Sequence, residues 1–423
     1  MTLVASFLGG AKSRLLPASI PFRYFAAAAS FHILAWLVLL TAADELPGFT
    51  GGPGKLLAAI HLLTLGVLVM TAMGAAFQLL PVATRRPLSQ TWPARLSFWL
   101  LTPGTLGLAY GMATGSETAM VASGGSATAS FGIFAFVIAD NLRRANDLPI
   151  VAAHGWGAIV SLAGFAGLGL ALIADFYTGF LPNHQSFALA HLILAGFGFM
   201  GLLAFGLSHV LIPMFALSRT LPSHLGWLEF WLACTGCALA TAAALTDNPI
   251  GLAAASVVGL CASGIYLWLM RTALQTGMRK RLGLSFILIK LSWGALMVCL
   301  SLGLAIALGA PIPNGATLFG FVLLAGWLLT FLTGILQRIM PFLASMHAAG
   351  KGGKPALLSE LTADLPLKVH AGCHISAVLF CSLGITMNMG TLVQLGAILG
   401  LAGALAFAAF AFLIVIKLNQ TAG

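Results

Sequence analysis

Long apolar stretches separated by short polar segments follow one another along almost the whole chain. Each has about the 20 residues that an α-helix needs to span the hydrocarbon core of a bilayer. A helix satisfies its own backbone hydrogen bonds in lipid, so helices are expected rather than open strands. We predict twelve transmembrane helices, at residues 24–43, 57–80, 97–114, 122–142, 151–175, 187–213, 227–246, 251–273, 284–308, 317–343, 367–388 and 392–416.

The second, sixth and tenth predicted helices share a pattern of two glycines followed by a proline. The three copies have the same internal spacing, and successive copies are 132 and 128 residues apart, which is four helices in each case. The pattern therefore predicts an internal repeat, with units at roughly 20–145, 146–280 and 281–417. The copies are Gly66/Gly74/Pro81, Gly198/Gly206/Pro213 and Gly326/Gly334/Pro341.

The repeat predicts how the helices are arranged. Glycine permits close contact between membrane helices, and we expect each proline to end its helix at the membrane surface. Four helices return the chain to the same side of the membrane, so the units are parallel. We predict a single all-α transmembrane domain over residues 1–423, in which three four-helix units surround a pseudo-threefold axis with helices two, six and ten innermost.

The charged residues indicate orientation in the membrane. Only 7% of the residues are charged, against about 25% in a soluble domain, and the mean hydropathy is +1.01. Lys and Arg produce a net charge of +10, and from Lys12 to Lys417 they cluster at one set of alternate helix ends, whereas Lys55 lies alone at the other set. The positive-inside rule then predicts cytoplasmic N and C termini in a bacterial-type inner membrane. The expected partner is the lipid bilayer, and no nucleic acid is expected.

Histidines are the candidate ligands. His61 and His191 lie near the predicted outer ends of helices two and six, where an imidazole could hold haem iron or another metal. His370 and His374 are four residues apart and share a face of helix eleven. If the ring of helices closes, they come near His32 in helix one and form a second candidate group. Each histidine could instead bond only to a backbone carbonyl or a neighbouring helix.

The acidic residues argue against ion pumping. Residues such as Glu45, Glu117, Asp175 and Asp247 are expected at helix ends or in loops, and none is expected deep within a span. Proton relays across membranes normally use buried carboxylates. Proton pumping and ion-coupled transport are therefore not expected.

The number of helices, their grouping in fours and the histidine in helix two resemble subunit I of the haem–copper oxidase superfamily. His61, Gly74 and Pro81 follow that family's pattern in helix two, where the histidine is an axial ligand of the low-spin haem. His191 matches by position the family's helix-six histidine, which binds copper. The resemblance implies a haem b, with His61 and His191 as metal ligands.

The chain also departs from the oxidase pattern. It contains no pair of adjacent histidines, the predicted helix ten at 317–343 has no histidine, and Ala195 occupies the place of the oxidase tyrosine. A complete copper centre and oxygen reduction are therefore not expected. The chain more closely resembles degenerate relatives, the NnrS-like membrane proteins, which are associated with haem and the response to nitric oxide. Their WHAHEM-like motif is replaced here by AAIHLLTLG.

These features lead to one expected function and two alternatives. We expect a membrane haem b protein that binds nitric oxide or another small ligand, or transfers electrons to a respiratory or redox partner. His61 would be one axial ligand, and His191 or His32 the other. The first alternative is a polytopic transporter of copper or another metal, with methionines such as Met70 and Met200 as soft ligands. The second is a non-catalytic subunit of a respiratory membrane complex.

Overall fold

A computed structural model of the protein describes residues 14–145, 147–350 and 361–420. The described residues contain no β-strand. Their twelve long helices are α1 Ser19–Thr41, α2 Lys55–Ala83, α3 Trp92–Thr114, α4 Glu117–Arg143, α5 Pro149–Thr178, α6 His184–Ala216, α7 Ser223–Leu245, α8 Pro249–Thr276, α9 Leu284–Ala307, α10 Gly315–His347, α11 Asp364–Thr386 and α12 Gly390–Gln420. Each corresponds to one predicted helix.

Eleven of these helices are long and apolar enough to cross a membrane. The remaining one, α3, is 23 residues long but less apolar, because Gly, Pro, Thr and Tyr residues are spread along it. Large apolar side chains project outward from several helices, including Val160, Phe136 and Phe412, which are 65–71% exposed. Lipid is the solvent that such surfaces require. The chain is a multi-pass membrane protein that resides in a lipid bilayer.

Three helices, α2, α6 and α10, each contain an eight-residue π-helical segment. The segments are Leu62–Val69, Leu194–Gly201 and Val322–Leu329. Their starts are 132 and 128 residues apart, as are the three copies of the glycine–proline pattern. Long π-helical stretches are rare in proteins and are frequently found at functional sites.

The glycines of the pattern bring each of these helices close to the helix before it. A Cβ atom on Gly74 would lie 2.6 Å from the Cβ atom of Tyr24 in α1. A Cβ atom on Gly206 would lie 2.5 Å from that of His154 in α5. No side chain fits at such distances, so only glycine allows the two backbones to approach this closely.

The prolines of the pattern do not end their helices, so that prediction is wrong. Pro81 and Pro213 lie within the stretches Met70–Ala83 and Leu202–Ala216, and Pro341 is followed by nine further residues of the stretch Thr330–Gly350. Proline removes one backbone donor, but neighbouring groups in a membrane protein can satisfy the carbonyl that it frees. The helix therefore continues beyond the proline.

The same three helices form the centre of the molecule. In the most apolar stretch of α2 and of α10, 72% of the residues are buried, and the value for α6 is 50%, against 28–44% for the other spans. The π-helical segment of α10 contacts those of both α2 and α6. Around this centre α12 packs against α1, α4 against α5, and α8 against α9. Residues on α2, α6 and α10 are therefore in position to face a shared interior site.

Candidate haem site

A cavity of about 760 Å³ lies between the central helices and is lined by His61 and His191. This volume is within the range of about 300–1,000 Å³ that is usual for ligand pockets. Most of the wall is apolar, with Phe165, Phe197 and Trp327 among its aromatic residues. Among the described residues no Lys, Arg, Asp or Glu lines it. The cavity suits a large, mainly apolar ligand.

His61 occupies the last position of α2 before the π-helical segment. Its Nδ1 atom is 3.0 Å from the carbonyl oxygen of Leu57, one turn earlier in the same helix. A carbonyl can only accept, so Nδ1 carries the proton and donates it. The Nε2 atom then keeps its lone pair, and no described residue is hydrogen-bonded to it. The ring lines the cavity in the form that binds metals.

His191, in α6, repeats this arrangement with a carbonyl of another helix. Its Nδ1 atom donates to the carbonyl oxygen of Phe165 in α5 at 2.8 Å, and no described residue is hydrogen-bonded to its Nε2 atom. The Phe165 ring packs edge-on against the imidazole, with the ring centroids 5.8 Å apart. The structure therefore brings these two predicted residues to one cavity.

Gly169 makes room for the His191 ring. A Cβ atom at this position would lie 3.2 Å from Cε1 and 3.5 Å from Nδ1 of His191. Gly169 is one turn after Phe165 in α5, so the glycine and the accepting carbonyl hold the same side of the imidazole. The position of the ring is therefore set by α5 as well as by its own helix.

Polar groups lie at the end of the cavity where α6 begins. His184 and Gln185, in the first turn of α6, line the cavity together with Thr50 from the loop before α2. The His184 Nδ1 atom is 2.7 Å from the carboxylate of Asp175. These groups could bind the polar edge of a ligand whose body lies among the apolar walls.

The other three predicted histidines form a separate cluster. The His370 ring stacks on that of His374 at 5.5 Å and lies 6.2 Å from that of His32, so α1 and α11 do bring them together. All three side chains are buried, and none of them lines the cavity. The Trp36 indole donates to His32 Nε2 at 3.0 Å, which occupies the lone pair of that imidazole. His191, not His32, shares the cavity with His61.

In each of these three histidines, one ring nitrogen is hydrogen-bonded and the other is not. His370 Nδ1 donates to the Gly403 carbonyl at 3.0 Å, and the Thr330 hydroxyl, which itself donates to Ala325, accepts from His374 Nε2 at 2.7 Å. The remaining nitrogens, Nδ1 of His32, Nε2 of His370 and Nδ1 of His374, are buried without a partner in the described residues. The lone pairs of His370 and His374 remain available.

A further polar cluster was not expected from the sequence. Glu229 in α7 is completely buried, which corrects the expectation that the acidic residues lie only at helix ends or in loops. It contacts His154 of α5 and His209 of α6. A signal for this cluster was present in the sequence. Each of the three residues is a few residues from the end of its helix, the helices are consecutive, and the three ends are on the same side of the membrane. Consecutive helices run in opposite directions, so these positions have similar depth.

No family model matches the chain, and no curated protein is significantly similar to it. Function therefore has to be inferred from the cavity and from the two buried histidine clusters.

Proposed function

We propose that the protein is an inner-membrane haem b protein, a degenerate NnrS-like relative of the haem–copper oxidase superfamily that lacks the complete copper centre. His61 and His191 would hold the haem iron in this proposal. One observation carries it: both imidazoles donate Nδ1–H to a backbone carbonyl and keep an unpartnered Nε2 atom at the same apolar cavity.

The residues fit a haem in three respects. Neutral imidazole is the common haem ligand, and an Nδ1–H bond to a carbonyl is the usual way to fix the orientation of such a ring. The apolar wall matches the porphyrin and excludes water, while Thr50, His184 and Gln185 offer hydrogen bonds to its carboxylates. Gly169 leaves the space in which the His191 ring stands.

A bound haem would supply one-electron chemistry and a coordination position for diatomic ligands. The chain's own residues hold two imidazoles in fixed orientations and surround them with a medium of low dielectric constant. With His61 and His191 holding it, the haem would serve to bind nitric oxide or another small ligand, or to transfer electrons to a respiratory or redox partner.

The proposal includes an architecture of three four-helix units around a pseudo-threefold axis. It is supported by the three π-helical segments in register with the glycine–proline pattern, and by the corresponding contacts of α4 with α5, α8 with α9 and α12 with α1. Both termini face the cytoplasm in this proposal. The clustering of Lys and Arg, including Arg143, Arg144 and Arg219, at one set of helix ends supports this orientation.

An absorption spectrum of the purified protein tests the proposal. We expect a Soret band and a pyridine haemochrome typical of haem b in the wild type. His61→Ala and His191→Ala should lose most of the band, because each removes an iron ligand. His224→Ala, which removes an exposed histidine at the start of α7, should keep it. A wild-type protein that folds in detergent and binds no haem, either as purified or after reconstitution with haemin, refutes the proposal.

The same preparation separates the proposal from the two alternatives. Addition of nitric oxide to the reduced haem protein should shift the Soret band, and a redox titration should give a one-electron transition. A copper or other metal transporter would instead show metal uptake into proteoliposomes without bound haem. A non-catalytic subunit of a respiratory complex would co-purify with partner chains in mild detergent and would contain no haem of its own.

A further inference from the structure

We propose a second metal site, separate from the haem cavity, in which His154, His209 and Glu229 bind a divalent cation such as Zn²⁺. The three side chains come from the consecutive helices α5, α6 and α7. One ligand atom from each lies within 4.8 Å of the other two. The exposed fractions of the three side chains are 1%, 8% and 0%.

The distances from His154 to Glu229 fit an ion better than a direct hydrogen bond, whereas the His209–Glu229 distance is also that of an ordinary N–H···O hydrogen bond. His154 Nε2 is 3.3 Å from both carboxylate oxygens of Glu229, and His209 Nε2 is 3.0 Å from one of them. Zn–N and Zn–O bonds of about 2.0–2.2 Å in a tetrahedral site place neighbouring ligand atoms about 3.3 Å apart. A hydrogen bond between a carboxyl O–H and an imidazole nitrogen would be about 2.7–2.8 Å long.

The protons on His154 point to the same conclusion. Its Nδ1 atom is 2.8 Å from the carbonyl oxygen of Ile150, so Nδ1 carries a proton, and in the neutral form of the ring this is the only one. Its Nε2 atom then presents a lone pair to the Glu229 carboxylate, which is also an acceptor. A cation between them turns this repulsion into two ligand bonds, and the bond to Ile150 becomes the usual support of a metal-bound imidazole.

The fold does not need these ionisable groups for packing. Tyr24 lies against Gly74 in the first unit, and His154 lies against Gly206 in the second. Three residues after the glycine, the first unit has Phe77 and the second has His209. The Tyr24 and Phe77 rings simply pack together in the first unit, with centroids 5.9 Å apart. The same position in the fold is thus filled by aromatic side chains in one unit and by a ligand set in another.

Two histidines and a glutamate are a known combination for zinc, and they leave one of four tetrahedral positions open. No other His, Cys, Asp or Glu of the described residues joins the group. The open position would take a water molecule or a further ligand. His154, His209 and Glu229 lie within about two turns of the ends of α5, α6 and α7, on the same side of the membrane.

Metal binding by the full-length protein, purified with a tag that contains no histidine, tests the site. Elemental analysis after dialysis against Zn²⁺ should give one additional equivalent of zinc, and competition with a chromophoric chelator should give its affinity. Glu229→Gln and His209→Phe should weaken binding by about 100-fold or more, since changes even to groups behind the ligands cost about 10–100-fold. His209→Phe introduces the residue that stands at Phe77 in the first unit and should therefore fold.

His224→Ala is the matched control, because this histidine is exposed in the same helix as Glu229. It should bind zinc like the wild type, and none of these variants should alter the Soret band of a haem-containing sample. Co²⁺ in place of Zn²⁺ should show the intense d–d bands of a four-coordinate ion. Equal zinc binding in all variants overturns the proposal. So does a folded wild type that binds no metal and shows the infrared carboxyl band of a protonated Glu229.

Discussion

Replacing Gly169 by alanine should lower haem affinity without destabilising the protein. The new methyl carbon would lie 3.2 Å from Cε1 and 3.5 Å from Nδ1 of His191, so the imidazole has to move by a few tenths of an ångström. That movement disturbs the 2.8 Å bond from Nδ1 to the Phe165 carbonyl. Loss of a bond that orients a metal ligand typically weakens metal binding about 10–100-fold. The change corresponds to roughly 1.4–2.7 kcal/mol of binding free energy.

The effect on the apoprotein should be small. Alanine is favoured over glycine within a helix by up to about 1 kcal/mol, and Gly169 is well inside Pro149–Thr178. This preference offsets the weakened bond from His191 to Phe165, so the melting temperature of haem-free protein in detergent should stay close to that of the wild type. Haem affinity is measured by transfer of haem to an apomyoglobin acceptor. Gly167→Ala is the control, because a Cβ atom at Gly167 would meet nothing within 4 Å. Equal haem retention in the two variants would refute the proposed role of His191.

Two further substitutions test the packing and the separate histidine cluster. Gly74→Ala should destabilise the protein by about 1–3 kcal/mol, because its methyl carbon would lie 2.6 Å from Tyr24 Cβ. Gly125→Ala is the control, because Gly125 has open space around it. Thermal unfolding in detergent measures the difference, and equal melting temperatures would contradict the close approach of α2 to α1. Thr330→Val should lower the free energy of unfolding by about 1–3 kcal/mol, because it leaves the buried His374 Nε2–H without its acceptor. The Soret band should not change. A lost or shifted band would indicate that the haem lies at the His374 cluster instead.

The helices were predictable because hydrophobicity alone specifies them. Each predicted span has one counterpart, and the bounds differ by a few residues, as for 57–80 against Lys55–Ala83. Charged residues are a less clear signal of where a helix ends, because side chains such as Arg95 can reach the membrane surface from within a helix. The starts of α3 and α4 at Trp92 and Glu117 consequently precede the apolar stretches from which they were predicted.

The π-helical segments could not be predicted from the sequence. Leu62–Val69 and Val322–Leu329 are apolar stretches whose composition also suits an ordinary α-helix. A π-helix differs from an α-helix in which carbonyl accepts the hydrogen bond of each N–H group, and packing between α2, α6 and α10 determines that pattern. The glycine–proline spacing located these segments along the chain without revealing their hydrogen-bond pattern.

The candidate sites were predictable in part. Depth along a helix grouped His61 with His191, because both precede a glycine–proline pattern by similar distances. Depth gives no information on rotation about the helix axis, so the sequence left His32 as a candidate for the partner of His61 beside His191. The Glu229 cluster was missed because its carboxylate lies only six residues into α7, where a membrane-surface position was the simpler interpretation.

The π-helical segments have a consequence for how such a protein can change over evolutionary time. One residue more or less in a helix rotates everything beyond it by about 100°. A π-helical segment can accommodate an inserted or deleted residue. The half of α2 that carries His61 can then rotate while the half that carries Gly74 keeps its contact with α1. Binding pockets could thus diversify at one membrane face while the scaffold at the other is inherited unchanged.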